Sequence, residues 1–328
     1  MTLDDPRQPL LLGPTTLQPL ERLAQQLGHA NLYIKRDDHM ELALGGNKVR
    51  SLEFWLGEAL SQSADVVLVA GQPISNQCRL TAAAASTVGL ECIVLHNAEK
   101  DEKGERDSFL NQVFGASVRF LGPVNEEQRG VEVTKVADNL RQQGRKPYII
   151  GNPVIGALGY VVAAEELLTQ SQESGAGLRH IFLPGSMGPT EAGFIFGNML
   201  LGNPFDVHLV SVEYSQVELS ARIDKLLAGL SVHTGRSLDD LDCSRIHYHM
   251  DYLGGGYDQP TEACEQAILT LARTEGILSE HTYTGKTFAG FLDFALKQGF
   301  PVEESMCVIH TGGTPSLFSQ FGMFKTLG

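Results

Sequence analysis

The chain has 328 residues and a formal net charge of −14, from 39 acidic and 25 basic side chains. This excess of negative charge repels phosphate backbones, so we expect no nucleic-acid partner. Hydrophobic residues make up 42% of the chain, which excludes a largely disordered or collagenous protein. No apolar run approaches the roughly 18–20 residues of a membrane span, and the start, MTLDDPRQP, lacks the pattern of a signal peptide. We therefore expect no membrane partner and a cytoplasmic location.

Short β-branched runs alternate with helical patterns along most of the chain. The predicted strands are 31–35, 65–70, 91–96, 117–121, 147–150, 180–183, 207–212 and 306–310. The predicted helices are 49–62, 76–88, 106–114, 126–143, 158–169, 190–200, 216–227, 261–274 and 284–297. Runs such as VVLVA and CIVLH are typical of strands buried on both faces of a parallel sheet. The alternation predicts an α/β fold with helices on both faces and ligands at the carboxyl ends of the strands.

Two segments are predicted to be connections, and neither the cysteines nor the histidines indicate a metal site. The charged stretch 97–106 is interpreted as a solvated loop or helix start, and 170–177 as a Ser/Gly-rich connector. The five cysteines are widely spaced without a CxxC motif, so we expect neither a disulfide framework nor a structural zinc site. His247 and His249 alternate as on a strand, but two histidines are too few for a zinc site, and we interpret them as structural.

A lysine at a change from loop to helix is the first chemical candidate. Lys48 follows Gly45-Gly46-Asn47, and the glycines permit close approach of a planar ligand. A lysine at a helix start is disfavoured by the helix dipole, and a desolvated amine there has a lowered pKa and makes a good Schiff-base nucleophile. From these four residues alone, an ordinary exposed lysine after a glycine turn is the simpler interpretation.

Three further segments follow predicted strands. Ser75 precedes the helix at 76–88, where it can be the N-cap with its oxygen accepting a backbone N–H, and such a helix start is an anion site. The small residues of 184–190 leave N–H groups free to hold phosphate, although similar turns occur in every α/β protein. His310-Thr311-Gly312-Gly313 ends the last apolar strand, at the edge where doubly wound folds bind ligands.

Five segments occur in the order and approximate spacing of one enzyme family: GGNKVRSLE from Gly45, Ser75-Asn76, Gly254-Gly255-Gly256-Tyr257, Tyr283-Thr284-Gly285-Lys286 and His310-Thr311-Gly312-Gly313. The chain resembles the D-cysteine desulfhydrase and 1-aminocyclopropane-1-carboxylate deaminase family, from about Leu10 to Phe321. These are pyridoxal-phosphate enzymes of the tryptophan-synthase-β-like fold (fold type II), with two open, twisted, mainly parallel sheets. The resemblance implies a large domain of residues 1–48 and 161–328, a small α/β domain of residues 49–160 inserted in it, and the cofactor in the cleft between them.

The resemblance also implies roles for site residues. Lys48 would carry pyridoxal 5'-phosphate, Asn76 would hydrogen-bond its ring oxygen, and Thr311 would face its pyridine nitrogen and leave that nitrogen largely unprotonated. A phenol beside the cofactor could have a lowered pKa and relay protons. The full expectation is a catalytic set of Lys48, Ser75, Tyr257 and Tyr283, a substrate-binding set of Ser75, Asn76 and Gln77, and a cofactor-binding set of Asn47, Lys48, Asn76, Gly185, Ser186, Gly188, Thr190 and Thr311.

The function that this resemblance implies is β-elimination from a small amino acid, foremost conversion of D-cysteine to pyruvate, hydrosulfide and ammonia. Thr284 and Thr311 resemble the desulfhydrase branch, since cyclopropane-opening members have a glutamate and a leucine there. Ile74 and Ser51 depart from the family, where glutamine and a basic residue are usual. A cyclopropane deaminase, a cysteate-type lyase, a pyridoxal-phosphate-binding protein without efficient catalysis and a sugar- or nucleotide-binding α/β protein stay open. By analogy we expect a homodimer.

Overall fold

The computed structural model describes residues 3–237, 243–296 and 301–324. In these ranges the strands are β1 Leu17–Pro19, β2 Leu32–Lys35, β3 Val66–Gly71, β4 Glu91–His96, β5 Ser117–Phe120, β6 Pro147–Ile149, β7 Leu178–Gly185, β8 Asp206–Ser211, β9 Ile246–His249 and β10 Ser305–Ile309. The helices are α1 Glu21–Leu27, α2 Lys48–Ser61, α3 Asn76–Thr87, α4 Glu102–Val113, α5 Glu126–Gln142, α6 Pro153–Glu173, α7 Pro189–Leu200, α8 Gln216–Thr234, α9 Glu262–Glu275 and α10 Thr284–Leu296. None of the helices in these ranges is long and apolar enough to cross a membrane.

The strands form two sheets. The larger has the order β1-β2-β10-β7-β8-β9 and the smaller the order β5-β4-β3-β6. Strand β1 pairs antiparallel with β2, and the other ladders between described strands are parallel. The predicted α/β fold with two mainly parallel sheets is therefore confirmed. The division into domains of residues 1–48 with 161–328 and of residues 49–160 stays a prediction.

Both faces of each sheet carry buried apolar side chains, which explains the continuous apolar runs of the central strands. In β3, Val66 and Leu68 pack towards Val133 of α5, whereas Val67 and Val69 belong to a central core. That core also takes one face of the larger sheet, including Leu183, with helices α2, α3, α6 and α7. The opposite face of the larger sheet packs on α1, α9 and α10. Side chains alternate between faces along a strand, so these central helices lie between the two sheets.

The central helices approach one another closely. A Cβ on Gly193 of α7 would lie 2.1 Å from the carbonyl oxygen of Ala157 in α6, and one on Gly159 of α6 would lie 2.4 Å from the carbonyl oxygen of Arg50 in α2. Glycine therefore permits backbone contact between α7 and α6 and between α6 and α2. This packing fixes the position of α2, whose first residue is Lys48.

Several boundaries differ from the prediction. Strand β1 and helix α1 were missed. Helix α4 begins at Glu102, because the Asp101 carboxylate accepts the Gly104 N–H, and helix α6 begins at Pro153, because Asn152 accepts the N–H groups of Val154 and Ile155. Helix α6 also continues to Glu173, so the first four residues of the predicted connector 170–177 are helical.

His247 and His249 lie on β9 and contact His208 of β8. The His247 ring stacks on His208 with 4.7 Å between centroids, and the ring nitrogens of His249 and His208 are 2.9 Å apart. Burial and the neighbouring histidines lower the pKa of His208 to about 2. The described residues contain no group of three side chains suited to hold a metal ion.

A buried ion network holds the first turn of α2. Arg50 donates to both carboxylate oxygens of Asp37 at 2.9 Å and to both of Glu166 at 2.8 and 2.9 Å. Thr15 and Tyr160 also donate to Asp37, and the Lys35 amine donates to Glu166. Burial acts to raise the pKa of Asp37, but the charge and hydrogen bonds of Arg50 outweigh it and bring the pKa to about 2. The network joins α2 to β2 and α6.

We expect Arg50→Met to lower the free energy of unfolding by about 3–5 kcal/mol, because it leaves the buried Asp37 carboxylate without its bidentate partner and Glu166 paired with Lys35 alone. Arg145 offers a matched control, since it also bridges two carboxylates, those of Asp65 and Glu91, but at the surface. Arg145→Met should leave the denaturant midpoint nearly unmoved. Equal shifts in the two variants, measured by urea unfolding, would contradict the role given to Arg50.

Candidate active site

A cavity of about 110 Å³ lies where the strands of both sheets end. The residues that line it are Asn47, Lys48, Ser75, Asn76, Gln77, Pro184, Ser186, Met187, Thr190, Glu191, Tyr283 and Thr311. They come from the N-terminal ends of helices α2, α3, α7 and α10, from the end of β7 and the loop after it, and from the turn after β10. Each helix N-terminus carries partial positive charge and unpaired N–H groups, so the cavity suits anionic groups.

Two glycine-containing loops place Lys48 in this cavity. The Asn47 N–H donates to the Thr311 carbonyl at 2.9 Å. A Cβ on Gly312 would lie 2.5 Å from the Gly46 Cα, so the two loops touch through backbone atoms. Both glycines also have positive φ, 128° and 95°, which side-chain-bearing residues rarely adopt. The contact joins the predicted lysine loop to the predicted HTGG turn.

The environment of Lys48 favours the neutral amine. Burial lowers the pKa of Lys48, and the Glu191 carboxyl opposes this shift only in part. The position of the amine at the N-terminus of α2 acts in the same direction as burial, since the helix dipole is positive there. The interpretation of Lys48 as an ordinary exposed lysine is wrong, because the residue is half-buried and lines the cavity.

Ser75 occupies the N-cap position of α3, as predicted, but its side chain makes no cap hydrogen bond. The expectation that its oxygen accepts a backbone N–H is therefore wrong, and Ser75 is one of the residues that line the cavity. Neighbouring Asn76 is held by Arg79, which donates to its side-chain oxygen at 2.8 Å. Arg79 also donates to the carbonyls of Ala43 and Gly45, so it ties α3 to the lysine loop.

The loop between β7 and α7 meets the lysine loop through side chains. The Asn47 amide donates to the Thr190 hydroxyl at 2.9 Å. Ser186 and Thr190 line the cavity, whereas Gly185 and Gly188 lie behind it, towards Leu219 and Leu226 of α8. The two glycines therefore shape the loop, and Gly188, with a φ of 105°, is the N-cap of α7.

The two predicted tyrosines form a pair. The hydroxyl oxygens of Tyr257 and Tyr283 are 2.6 Å apart, and Tyr283 lines the cavity while Tyr257 lies behind it. Burial raises the pKa of both phenols, and the lowering expected beside a cationic cofactor stays a prediction. The Glu280 carboxylate accepts the Tyr283 N–H at 3.0 Å. Lys286 donates to the carbonyls of Leu253 and Gly256, both at 2.8 Å, and so holds the loop that carries Tyr257.

Two residues depart from the family pattern, Ile74 and Ser51, and two resemble the desulfhydrase branch, Thr284 and Thr311. Their surroundings differ. Ile74 lines a neighbouring cavity of about 150 Å³, which shares Ser75 with the first. The Ser51 hydroxyl is buried without a hydrogen-bond partner. Thr311 lines the site, but the Thr284 hydroxyl donates to Glu280 at 3.1 Å and does not line it.

Four residues around the site were not predicted: Arg79, Glu191, Glu213 and Glu280. Glu191 lines the cavity, Arg79 positions Asn76, and Glu280 holds the start of α10. Glu213 accepts the Ser186 hydroxyl at 2.7 Å. A glutamate in the first helical turn is ordinary, so local pattern gave no reason to select Glu191.

Comparison with known proteins identifies relatives over almost the whole chain. Residues 9–312 match the family model described as pyridoxal-phosphate dependent enzyme. A D-cysteine desulfhydrase of Serratia proteamaculans (strain 568) is 34% identical over 322 residues, which cover 96% of both chains. A D-cysteine desulfhydrase of Salmonella typhi has the same identity and coverage.

Solved structures give a consistent result. A structure described as an ACC deaminase homologue superposes with a TM-score of 0.87 at 31% identity, covering 98% of this chain and 97% of the other. The processed form of threonine deaminase isoform 2 from Solanum lycopersicum superposes with a TM-score of 0.67 at 15% identity, covering 96% and 84% of the two chains. The second likeness concerns the fold alone.

The residues of the cavity fit pyridoxal phosphate. Its aldehyde requires a neutral amine, which the lowered pKa of Lys48 favours. Its phosphate requires N–H groups at a helix N-terminus, and α7 begins behind Ser186 at the cavity wall. Gly46 and Gly312 carry no side chains, so the two loops meet there without side-chain atoms. This leaves the backbone beside Lys48 open to a flat ring.

We expect Lys48→Ala to abolish covalent attachment of pyridoxal phosphate, because Lys48 is the lysine that lines the cavity. Lys286→Ala is the control, since the Lys286 amine is engaged by two loop carbonyls. The measurement is borohydride reduction followed by peptide mass analysis. Label retained in Lys48→Ala and lost in Lys286→Ala would contradict the assignment.

Proposed function

We propose that this chain, which belongs to the pyridoxal-phosphate dependent enzyme family, is a lyase that eliminates the β substituent of a small amino acid, with D-cysteine as substrate. The products are pyruvate, hydrosulfide and ammonia. The observation that carries the proposal is the Lys48 amine in one cavity with the N-terminus of α3. The near full-length similarity to D-cysteine desulfhydrases supports it.

Lys48 is the proposed base. Pyridoxal phosphate, when bound, supplies the electron sink that makes the Cα proton of an amino acid acidic. A buried amine with a lowered pKa is neutral more often at physiological pH and so can accept that proton. Glu191, in its ionised form, opposes the lowering of the Lys48 pKa.

Ser75, Asn76 and Gln77 are the proposed ligands of the substrate. Ser75 does not use its hydroxyl to cap α3, and a serine hydroxyl can rotate to donate to a carboxylate. The same helix end offers N–H groups and a positive dipole to that carboxylate. Arg79 fixes the orientation of Asn76 without lining the same cavity.

Tyr283 and Thr311 complete the proposed machinery. Tyr283 keeps its proton because burial raises its pKa, so it would act as a donor, with Tyr257 fixing its hydroxyl. The Thr311 side chain at the cavity wall carries no charge, and a neutral partner leaves a pyridine nitrogen largely unprotonated. The remaining cofactor ligands are the proposed set of Asn47, Asn76, Gly185, Ser186, Gly188, Thr190 and Thr311.

Elimination of hydrosulfide needs no acid or nucleophile beyond these residues. A thiol with a pKa of about 8.5 leaves as a stable anion. Opening a cyclopropane ring breaks a C–C bond and needs a placed acid or nucleophile. Thr284 cannot provide one, because its hydroxyl donates to the Glu280 carboxylate and does not line the cavity. A glutamate at position 284 would stand beside that carboxylate, so Thr284→Glu is not a simple route to ring opening.

Two other candidate functions remain for experiment. A cysteate-type lyase is motivated by Ile74, which replaces a polar residue beside Ser75. A pyridoxal-phosphate-binding protein without efficient catalysis is motivated by Ile74 and by the buried Ser51. Homodimerisation and a cytoplasmic location also stay predictions.

We expect D-cysteine to be turned over at least about tenfold more efficiently, in kcat/KM, than 1-aminocyclopropane-1-carboxylate, which is about 1.4 kcal/mol of transition-state preference. Release of pyruvate is the common readout, with L-cysteine and cysteate in the same assay. Equal or reversed efficiencies would refute the desulfhydrase assignment. If none of these substrates yields pyruvate, the result would favour a pyridoxal-phosphate-binding protein without efficient catalysis.

We expect Ser75→Ala to lower kcat/KM for D-cysteine by about tenfold or more, the effect of losing one hydrogen bond to a charged group. Its melting temperature should stay close to that of the unmodified protein, because the side chain does not cap α3. Ser215→Ala is the matched control, since the Ser215 hydroxyl does cap α8 by accepting the Glu218 N–H. That variant should lose stability and keep its kinetics. The opposite pattern would show that Ser75 is a structural residue.

A further inference from the structure

Two carboxyl groups hold the hydrogen-bond donors of the loop before α7. The Ser186 N–H donates to Glu191 Oε1, and the Ser186 hydroxyl donates to Glu213 Oε2 at 2.7 Å. These are the donors that a phosphate at this loop would use. An anion entering the loop therefore meets two acidic side chains at the same serine.

A ligand could replace Glu213 as the partner of Ser186 more easily than Glu191. A serine hydroxyl rotates, so Ser186 can turn from Glu213 to a ligand. A backbone N–H is fixed by the chain, so a ligand that takes the Ser186 N–H must share it with Glu191 or displace it. Glu191 is 3% exposed and belongs to the first turn of α7, where helix N–H groups and the dipole favour an anion. Its carboxyl thus lies where the phosphate is expected.

The charged and titratable groups around Glu191 come from several elements. Burial raises the pKa of Glu191, and Glu213 after β8 raises it further, while the Ser186 N–H and Lys48 of α2 lower it. Tyr283, directly before α10, lines the same cavity and keeps its proton. Arg222 of α8, next to Gly188, stacks on Tyr214 and pairs with Glu126 at 3.5 Å. Lys48 is therefore the cation that opposes the two carboxyl groups within the cavity.

We propose that Glu191 is a proton-carrying ligand of the cofactor phosphate: it meets the phosphate as a neutral carboxylic acid, so that binding takes up one proton. The inference rests on the phosphate-binding role proposed for Ser186 and Thr190. Two anions at one N–H repel each other, whereas a protonated carboxyl becomes a donor to the phosphate. The proton comes from solvent and goes to a Glu191 carboxylate oxygen, with no bond formed or broken in the ligand.

The test measures binding and needs no turnover. The probes are pyridoxine 5'-phosphate, which lacks the aldehyde, and pyridoxine, which also lacks the phosphate. Between pH 7 and 9 the phosphate is mainly a dianion, since its second pKa is about 6. Calorimetry in buffers of different ionisation enthalpy gives the number of protons taken up. The proteins are the unmodified chain, Glu191→Gln and, as the matched control, Glu213→Gln, since both glutamates accept from Ser186.

We expect the unmodified protein to take up about one proton with pyridoxine 5'-phosphate and fewer with pyridoxine. Its affinity for the phosphorylated probe should fall by about tenfold per pH unit above the pKa of Glu191, as linkage requires for one proton. Glu191→Gln should take up less and bind more tightly at pH 9, because the amide is neutral and still accepts the Ser186 N–H. Glu213→Gln should keep the uptake.

Other outcomes separate the possible failures. Proton uptake that is unchanged in Glu191→Gln, or lost only in Glu213→Gln, would overturn the inference and leave the proposed lyase function intact. Equal affinity for the two probes would overturn the phosphate-binding role itself. If Glu191→Gln fails to fold, Glu191→Ala serves instead: it lacks the carboxyl and should take up no proton, so unchanged uptake there would overturn the inference.

Discussion

The bidentate pairing of Arg50 with two carboxylates is the interaction on which the geometry of the site depends. Arg50 lies two residues after Lys48, and its partners Asp37 and Glu166 belong to segments of the chain on either side of α2. Isolated burial of any of these charges would be strongly unfavourable. Because Arg50 donates to both oxygens of each carboxylate in one arrangement, the network fixes the first turn of α2 relative to β2 and α6. The Gly46 N–H adds a bond to the Asp37 carbonyl, so the lysine loop starts from the same anchor.

The electrostatic potential in the cavity depends on where the helices begin. Four helices begin at the cavity wall, and each adds positive potential. This potential and burial both disfavour a second positive charge, and burial accordingly lowers the pKa of Lys48. The same potential attracts anions to a chain whose net charge is −14. The site is therefore locally suited to phosphate and carboxylate on a protein that repels them elsewhere.

Much of the fold and part of the site could be predicted from sequence. The buried strands were found because two apolar faces leave a continuous apolar run. Lys48 was found because it stands where a glycine loop changes to a helix, and Ser75 and Thr311 because each follows a strand end. Arg50 was not selected, because its partners lie 13 and 116 residues away and no local pattern joins them. The N-cap position of Ser75 was predicted correctly, but residue type does not determine the rotamer, and its hydroxyl makes no cap hydrogen bond. Glu191 was missed because an acidic residue in a first helical turn has an ordinary explanation.

The positive potential at the start of α7 favours two competing anions, a phosphate and the Glu191 carboxylate. The positive end of α7 that would hold a phosphate also stabilises an acidic side chain, and Glu191 is close enough to take the Ser186 N–H for itself. Burial works against the charged form of that carboxyl, and so does Glu213, while Lys48 favours it. Lys48 in turn is kept partly basic by Glu191. The protonation states of the amine and the carboxyl are therefore coupled, and a ligand that brings negative charge to this loop must change the balance between them.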